Sequence, residues 1–376
     1  MKCLKYKLII GALSLQSSLT GIGRYTYEIA NILKKNTTLD SSYYYGYYSK
    51  KLIDPNFINS KPYTIKSLVL KNQKIKKIIR KLINFSSKIL SPQFDLYWEP
   101  NFIPLDGVKA KKLITTVHDF SFMLYKEFHP KERIEYYEKF FFKNVIKSDF
   151  IITGSNYSKQ EIIEKLDFSE DKIRVIYHGI NHDVFKVHEN NEVDFELPSE
   201  FILCVGSIEP RKNLKGLLKA YSLLDENLKN KYKLVLVGFS GWENKEIMTL
   251  INENKNSIFY LGFLSDEELA KVYNRASCFV FPSFYEGFGL PPLEAMACGT
   301  PVVASRASSI PEVCLDTVEY FNPNDIDEIS EKISLVLNDK DLQSKMIERG
   351  LKRASEFSWQ KSADEHLKLF KEVLGI

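Results

Sequence analysis

Short runs of valine, isoleucine, leucine and phenylalanine alternate with amphipathic helical patterns along nearly the whole chain, and this alternation predicts an α/β fold. The strand candidates are continuous apolar runs, which is typical of parallel strands covered by helices on both faces. At about 150 residues per domain, the length of 376 residues corresponds to two domains. We therefore predict two Rossmann-like domains in tandem.

The first half of the chain, residues 1–182, carries the first set of elements. Apolar runs predict strands at 8–13, 43–48, 94–98, 113–118, 150–153 and 173–177. Amphipathic spacing predicts helices at 22–33, 130–147 and 155–166. Ser155 stands where the last of these helices begins, and serine is a preferred N-cap residue.

A polar, acidic segment without periodicity follows at 183–199, and we interpret it as a linker. The second half, residues 200–356, then repeats the alternation. Apolar runs predict strands at 201–206, 233–237, 258–261, 278–281 and 301–304. Helical spacing predicts helices at 214–224, 266–275, 293–297, 326–337 and 342–356. A last helix is expected within 357–376.

The charge balance and the cysteines argue against several classes of protein. Lys and Arg total 52 and Asp and Glu total 48, so the net charge is +4, a weaker imbalance than nucleic-acid-binding domains usually carry. No run of 18 apolar residues exists, so we predict no membrane-spanning helix. We interpret the first apolar run as a core strand rather than a signal peptide. The five cysteines form no Cys-x-x-Cys pair, which argues against zinc and redox sites.

The stretch 281–301, FPSFYEGFGLPPLEAMACGTP, combines a strand end, a glycine-containing loop and a short helix. Pro291 and Pro292 suit the first turn of a helix, where a missing N–H costs nothing. Gly299 ends the helix. Gly287 and Gly289 therefore lead exposed backbone N–H groups to a helix N-terminus, which predicts an anion-binding site.

Two carboxylates flank this anion site. Glu286 precedes it and Glu294 lies in the first turns of the helix, so a bound phosphate would have one carboxylate on each side. Carboxylates accept hydrogen bonds from hydroxyl groups rather than bind phosphate. A phosphate between two hydroxyl-bearing groups describes a nucleotide sugar. On these residues alone, the alternative remains that one is a loop acid and the other an acid that stabilises a helix start.

The run EGFGLPPLEAMACGTPVVAS, with its Glu-x7-Glu spacing, closely resembles the retaining glycosyltransferases of family 4, which have the GT-B fold. The segments GSIEPRKNL, YLGFLSDEELAKVYNRA, GIGRYTYE and FSW extend the resemblance over most of the chain. It implies two facing Rossmann-like domains, with the acceptor on the first and the donor on the second. It also implies that a C-terminal helix crosses back to the first domain.

The resemblance assigns roles within the donor site. Glu286 would contact the donor sugar and Glu294 the ribose of the nucleotide. The loop between them would bind the diphosphate through Gly287 and through the backbone N–H groups of Phe288, Gly289 and Leu290.

Departure of a nucleoside diphosphate leaves negative charge that a metal ion or positioned cations must stabilise. The string from Asp325 to Asp327 opens a helix pattern, so we assign it to helix capping and expect no metal and no other cofactor. Arg211 and Lys212 follow a predicted strand, which places them at the edge of the sheet that faces the crevice. Position and resemblance together assign this pair to the phosphates, with a catalytic role.

Further donor contacts follow from the resemblance. Gly206 ends the strand at 201–206, and Ser207 follows it where many members of the family carry an arginine. The nucleotide base would lie against the turn at Gly262, Phe263 and Leu264, whose backbone groups would contact its edge.

The first half is expected to form the opposite wall of the cleft. Gly21 and Gly23 open the first helix, but the third glycine of a dinucleotide-binding fingerprint is absent. In the resembled family this turn approaches the diphosphate and the reacting sugar. Arg24 either contributes charge there or pairs on the surface. His118 and Asp119 end a strand on the acceptor side, where His118 would bond donor or acceptor hydroxyls in catalysis rather than a metal.

The resemblance implies that the anomeric configuration is retained, with the leaving phosphate accepting the proton of the acceptor. Likeness of GSIEPRKNL and VHD to mannosyltransferase-like members favours GDP-mannose as the donor. The product would be a bacterial surface polysaccharide such as lipopolysaccharide. Two rival hypotheses are a nucleotide-sugar epimerase on the same fold and a non-catalytic nucleotide-sugar-binding subunit.

The segment 71–90 is a basic stripe with apolar residues at helical spacing. It would dock a cytoplasmic enzyme on the anionic inner face of the cytoplasmic membrane, near a lipid-linked or glycan acceptor. The alternative is a helix that packs its apolar stripe on the core and solvates its basic face. No nucleic-acid partner is expected.

Overall fold

The computed structural model describes residues 5–16, 21–54, 82–83, 87–88, 91–239, 241 and 245–376. In its first half, a seven-stranded sheet has the order β3-β2-β1-β4-β5-β6-β7 within these ranges. Its strands are β1 (Tyr6–Gly11), β2 (Leu39–Tyr44), β3 (Tyr48–Ser49), β4 (Phe94–Glu99), β5 (Ala110–Thr116), β6 (Phe150–Thr153) and β7 (Ile173–Val175). Its helices are α1 (Gly21–Leu33), α2 (Ser121–Leu124), α3 (Lys131–Val145) and α4 (Asn156–Leu166). The strands pair in parallel except β2 with β3.

The second half forms a parallel sheet of six described strands in the order β10-β9-β8-β11-β12-β13. The strands are β8 (Phe201–Val205), β9 (Lys233–Val237), β10 (Ile258–Gly262), β11 (Cys278–Phe281), β12 (Val302–Ser305) and β13 (Glu319–Phe321). The helices are α5 (Leu214–Leu223), α6 (Glu226–Lys231), α7 (Lys245–Glu253), α8 (Asp266–Arg275), α9 (Leu290–Ala297), α10 (Ile310–Cys314), α11 (Ile326–Asn338) and α12 (Lys340–Ala354). The strand order reverses between β8 and β11, where α/β sheets bind ligands.

Both faces of the second sheet are buried, as the continuous apolar strands predict. Phe201 and Leu203 of β8 pack in one apolar cluster, while Ile202 and Cys204 pack in another on the opposite face. Side chains alternate across a strand, so a strand covered on both sides must be apolar at every position. The prediction of an α/β fold with two parallel sheets is confirmed.

A final helix, α13 (Trp359–Leu374), returns to the first sheet, as expected of the crossing helix. Its residues Trp359 and Phe370 pack in the same cluster as Leu8 and Ile10 of β1. His366 is fully buried, and its Nε2 lies 2.7 Å from the hydroxyl of Tyr25 on α1. The C-terminus of the chain therefore stabilises the half in which the chain begins.

Several predicted elements need correction. The expected strand at 43–48 is a hairpin, because Gly46 adopts a left-handed φ of 91° that ends β2 and starts the turn into β3. The strand expected to reach His118 ends at Thr116. The α9 helix begins at Leu290, before its two prolines, rather than at residue 293. The pattern also missed five elements that are short or lie beside polar loops: α2, α6, α7, α10 and β13.

Two further predictions concern segments between these elements. The segment predicted as a linker carries Phe185, which is fully buried against the second half. The domain boundaries themselves stay a prediction. The basic segment 71–90 lies almost entirely outside the described residues. Within the described ranges, no helix combines the length and apolar character needed to cross a membrane.

Candidate functional site

The predicted donor residues lie at the point where the second sheet reverses its strand order. Gly206 follows β8, and the turn after it carries Arg211 and Lys212. The loop after β11 runs alongside, because the amide of Phe284 donates to the carbonyl oxygen of Arg211 at 3.0 Å. Two strands that are neighbours in the sheet therefore bring the predicted cations and the predicted carboxylate to one edge.

Glu286 pairs with both cations there. Its Oε2 lies 2.9 Å from Nη1 of Arg211, and its Oε1 lies 2.6 Å from Nζ of Lys212. Burial raises the pKa of Glu286, but the charges of Arg211 and Lys212 outweigh that effect and lower the pKa to about 2. Arg211 also bonds Glu209 at 2.8 Å, a partner that the sequence pattern did not reveal. Glu286 is therefore ionised at neutral pH.

The loop after Glu286 is the segment for which the sequence predicts an anion site. Gly289 has a φ of 113°, which favours glycine, and it is the N-cap of α9. Ser309 donates to the carbonyl oxygens of Glu286 and Phe288, both at 2.9 Å, and so orients the loop. Among the described residues, no acceptor pairs with the amides of Phe288, Gly289 and Leu290. These donors point from a helix N-terminus, where an anion is favoured.

Glu294 lies further along α9 and is buried. Burial raises the pKa of Glu294 to about 7, with Arg24 lowering it and Asp266 raising it. The hydroxyl of Tyr273 donates to its Oε2 at 3.4 Å. Nη1 of Arg24 lies 4.0 Å from its Oε1, and Arg24 forms its ion pair with Asp266 of α8. Arg24 is thus a partly buried residue that joins the first half to the predicted ribose site, rather than a solvated surface residue.

The turn assigned to the nucleotide base presents an aromatic side chain. Phe263 is 49% exposed and its ring stacks on Phe239 with centroids 4.3 Å apart. The carbonyl of Gly262 accepts the amide of Gly238 at 2.8 Å, so that backbone oxygen already has a partner. Leu264 is buried. The ring of Phe263 is therefore an exposed aromatic surface in this turn.

The first half contributes His118, which lies just beyond the end of β5. Its Nε2 lies 2.8 Å from the carbonyl oxygen of Pro100, and since a carbonyl only accepts, Nε2 carries the proton. Burial lowers the pKa of His118, so the ring is neutral and its Nδ1 is a hydrogen-bond acceptor. Asp119 accepts the amide of Ser121 at 2.8 Å. Gly21 and Gly23 open α1 as predicted.

The two halves meet beside Glu286. A Cβ on Gly287 would lie 2.1 Å from the carbonyl oxygen of His118, so only glycine permits this approach. The hydroxyl of Tyr285 donates to Glu161 of α4 at 2.5 Å and accepts the amide of Phe120 at 2.9 Å. No sequence pattern points to Tyr285 or Glu161, although Tyr285 is adjacent to Glu286 in the chain.

The predicted Asp-x-Asp motif takes no part in this site. Asp325 is the N-cap of α11, and its side chain accepts the amide of Glu328 at 3.0 Å. Helix capping, as predicted from the sequence, therefore accounts for it.

Two Rossmann-like sheets, with the charged cluster of Glu286, Arg211 and Lys212 at the carboxyl edge of the second, form the arrangement of the GT-B fold. The family model for glycosyl transferases group 1 matches residues 188–353, and that for glycosyltransferase family 4 matches residues 19–184. The chain belongs to the group 1 glycosyltransferases of family 4.

Named relatives agree with this assignment. The chain is 36% identical over 287 residues to O-antigen chain mannosyltransferase B of Escherichia coli, covering 73% of this chain and 74% of that protein. It is 33% identical to the serotype-specific mannosyltransferase WbdA of Escherichia coli, with 72% of this chain and 35% of WbdA covered. The structure of Anabaena HepE in complex with UDP-glucose has a TM-score of 0.71, 16% identity, and coverage of 98% and 100%.

Proposed function

We propose that this glycosyltransferase transfers mannose from GDP-mannose to a glycan or lipid-linked acceptor in bacterial O-antigen synthesis. It would do so with retention of configuration and without a metal ion. The observation that carries the proposal is the buried cluster of Glu286, Arg211 and Lys212 beside the free amides at the start of α9. The similarity to an O-antigen chain mannosyltransferase supports the sugar and the product class.

In this proposal the second half binds the donor and stabilises its leaving group. Arg211 and Lys212 meet the charge that develops as GDP departs, together with the amides at the helix start. Glu286 accepts hydrogen bonds from mannose hydroxyls, and Glu294 accepts them from the ribose. Phe263 stacks on the guanine.

The first half positions the acceptor. The neutral His118 offers Nδ1 as an acceptor for a sugar hydroxyl. The attacking hydroxyl of the acceptor forms the new glycosidic bond on the face that GDP leaves, and its proton passes to an oxygen of the departing phosphate. Two buried cations beside the diphosphate supply the charge that a metal ion supplies in other transferases, which supports the absence of a metal requirement.

A thermal-shift panel of UDP, GDP and ADP sugars, run with and without EDTA, tests the donor and the metal together. We expect the largest stabilisation with GDP-mannose, unchanged by EDTA. Loss of that stabilisation on chelation would overturn the metal-free mechanism.

A product assay with labelled donor and a mannan acceptor tests transfer itself. We expect a new α-linked mannosyl residue if the donor is an α-linked nucleotide sugar. Turnover of the donor without a new glycosidic bond to the acceptor would support an epimerase. Binding without any turnover would support a non-catalytic subunit.

We also propose that the basic segment 71–90 docks the enzyme on the cytoplasmic face of an anionic membrane. The support is its sequence pattern of lysines and apolar residues. Sedimentation with phosphatidylglycerol vesicles should retain the protein at low salt, and vesicles of phosphatidylcholine should not. Equal binding to both vesicle types would contradict the electrostatic part of this proposal.

A further inference from the structure

Tyr285, which directly precedes Glu286, belongs to the second half but places its hydroxyl in the first. Its side chain is 1% exposed. The hydroxyl donates to Oε2 of Glu161 at 2.5 Å and accepts the amide of Phe120 at 2.9 Å. Both hydrogen-bonding functions of the phenol are therefore used, and both partners lie in the first half.

The residue on the other side of Glu286 is held by the same part of the first half. The carbonyl oxygen of Gly287 accepts the hydroxyl of Ser155 at 2.8 Å, at the N-cap of α4. Ser158 of the same helix donates to the carbonyl oxygen of His118 at 3.2 Å. The loops that carry Glu286 and His118 are thus bonded to one helix.

These contacts have a geometric consequence for the site. Glu286 comes from the second sheet and His118 from the first, so their separation depends on how the two halves meet. Reacting groups must be held to within about 0.5 Å of a productive geometry. A bond from each neighbour of Glu286 to the first half supplies that constraint.

We infer that Tyr285 is a positioning residue for sugar transfer: its hydroxyl, between Glu161 and the amide of Phe120, fixes the loop of Glu286 against the loop of His118. This inference rests on the proposed roles of Glu286 and His118 in donor and acceptor binding. Tyr285 acts through those loops, because both partners of its buried hydroxyl are protein groups.

The variant Tyr285→Phe removes the hydroxyl and keeps the ring. We expect kcat for transfer to fall about 10- to 100-fold, because a misplacement of about 1 Å has that effect on rate. KM for the donor should change less than threefold, since the cations and amides that bind the diphosphate are unaltered. The fraction of donor lost to hydrolysis should rise.

A matched control separates positioning from stability. Tyr221 is also buried, and its hydroxyl donates to the carbonyl oxygen of Tyr232 at 3.0 Å within the second half. Tyr221→Phe should lower Tm to a similar degree and leave kcat unchanged. If Tyr285→Phe likewise lowers only Tm, the positioning role is wrong.

The partner of the hydroxyl provides a second test. Glu161→Gln keeps an oxygen acceptor for Tyr285 and should retain most of the activity, whereas Glu161→Leu should lose as much as Tyr285→Phe. The double variant Tyr285→Phe with Glu161→Leu should be no worse than either single variant, because both remove one interaction. If the kcat losses of the two single variants instead multiply in the double variant, Tyr285 and Glu161 act independently and the proposed coupling between them is wrong.

Failure of the proposed function gives a different result. It would appear in the wild-type enzyme, as turnover of another nucleotide sugar instead of GDP-mannose. The role of Tyr285 is judged by the ratio of variant to wild-type kcat with whichever donor the wild type consumes.

Discussion

Replacing Glu286 by glutamine tests the charged cluster at the donor site, because it removes one charge and nearly preserves the shape. The carboxylate pairs with Arg211 and Lys212 at 2.9 and 2.6 Å. The side chains of these cations are only 14% and 17% exposed. In Glu286→Gln both cations would remain buried without the negative charge of the carboxylate, and buried charges that lack an opposite charge destabilise a folded protein.

The size of the effect follows from the pKa of Glu286. The cluster lowers this pKa from its ordinary value of 4.5 to about 2, which corresponds to about 3 kcal/mol of unfolding free energy at pH 7. A lowered pKa stabilises the fold above the unfolded value and loses that stabilisation as pH falls through the folded value. The stability difference between wild type and Glu286→Gln should therefore shrink to about 1.4 kcal/mol at pH 3.

Nucleotide binding should change in the opposite direction. In the wild type Glu286 neutralises the cations that the diphosphate would contact. Without that carboxylate charge, GDP alone should bind Glu286→Gln about tenfold more tightly, which is about 1.4 kcal/mol. Transfer from GDP-mannose should nevertheless fall by more than about 100-fold, since the contact between the carboxylate and the sugar is lost.

Urea denaturation, calorimetry with GDP and a labelled-mannose transfer assay measure these three quantities. The matched control is Glu331→Gln, an exposed glutamate of α11, which should change none of them. Wild-type stability in Glu286→Gln would refute the proposed ion-pair energetics. Full transfer activity in that variant would refute its catalytic role.

Three further predictions concern pH, the crossing helix and the base site. Burial is the main cause that raises the pKa of three carboxyls to about 7: Glu99, Glu161 and Glu294. The folded chain therefore binds more protons than the unfolded chain between about pH 4.5 and 7, and stability from these groups falls as pH rises through that window. The free energy of unfolding of Glu99→Gln, relative to that of the wild type, should accordingly rise by about 2.5 kcal/mol between pH 5 and pH 8, as measured by urea titrations at both values. Tyr25→Phe removes the donor to Nε2 of the buried His366 and should cost about 1–3 kcal/mol by the same titration; no loss would show that this bond does not secure α13. Phe263→Ala should weaken GDP binding about tenfold by calorimetry, and Phe239→Ala should weaken it less, because Phe263 is the more exposed of the two stacked rings; an unchanged Kd in Phe263→Ala would exclude stacking on Phe263.

Much of the fold is readable from local sequence because its signals are local. Ser155 caps α4 and Asp325 caps α11 as predicted, since an N-cap bonds an amide only two or three residues away. Buried parallel strands can likewise be predicted from the sequence, because both of their faces require apolar residues. The hairpin at Gly46 resembles one strand in the sequence, because tyrosines continue through the turn and only the backbone angle reveals it.

The candidate site likewise combines features that neighbouring residues predict with contacts between residues that are distant in the sequence. The run from Glu286 to Glu294 is contiguous, so its glycines, prolines and carboxylates predict an anion site at a helix start. The partners of those carboxylates come from distant segments. Lys212 lies 74 residues from Glu286, and Asp266 lies 242 residues from Arg24.

By itself, the sequence determined the α/β class and the pairing of strands with covering helices, and it predicted which loop would offer amides to an anion. These features depend on periodicity and on the backbone preferences of neighbouring residues. Only the tertiary structure decided that Arg211 and Lys212 neutralise Glu286, that Arg24 reaches Asp266, and that Tyr285 enters the first half. Those contacts arise because the strand order brings chain segments together at the carboxyl edges of two sheets, and no local pattern records which distant segments will meet there.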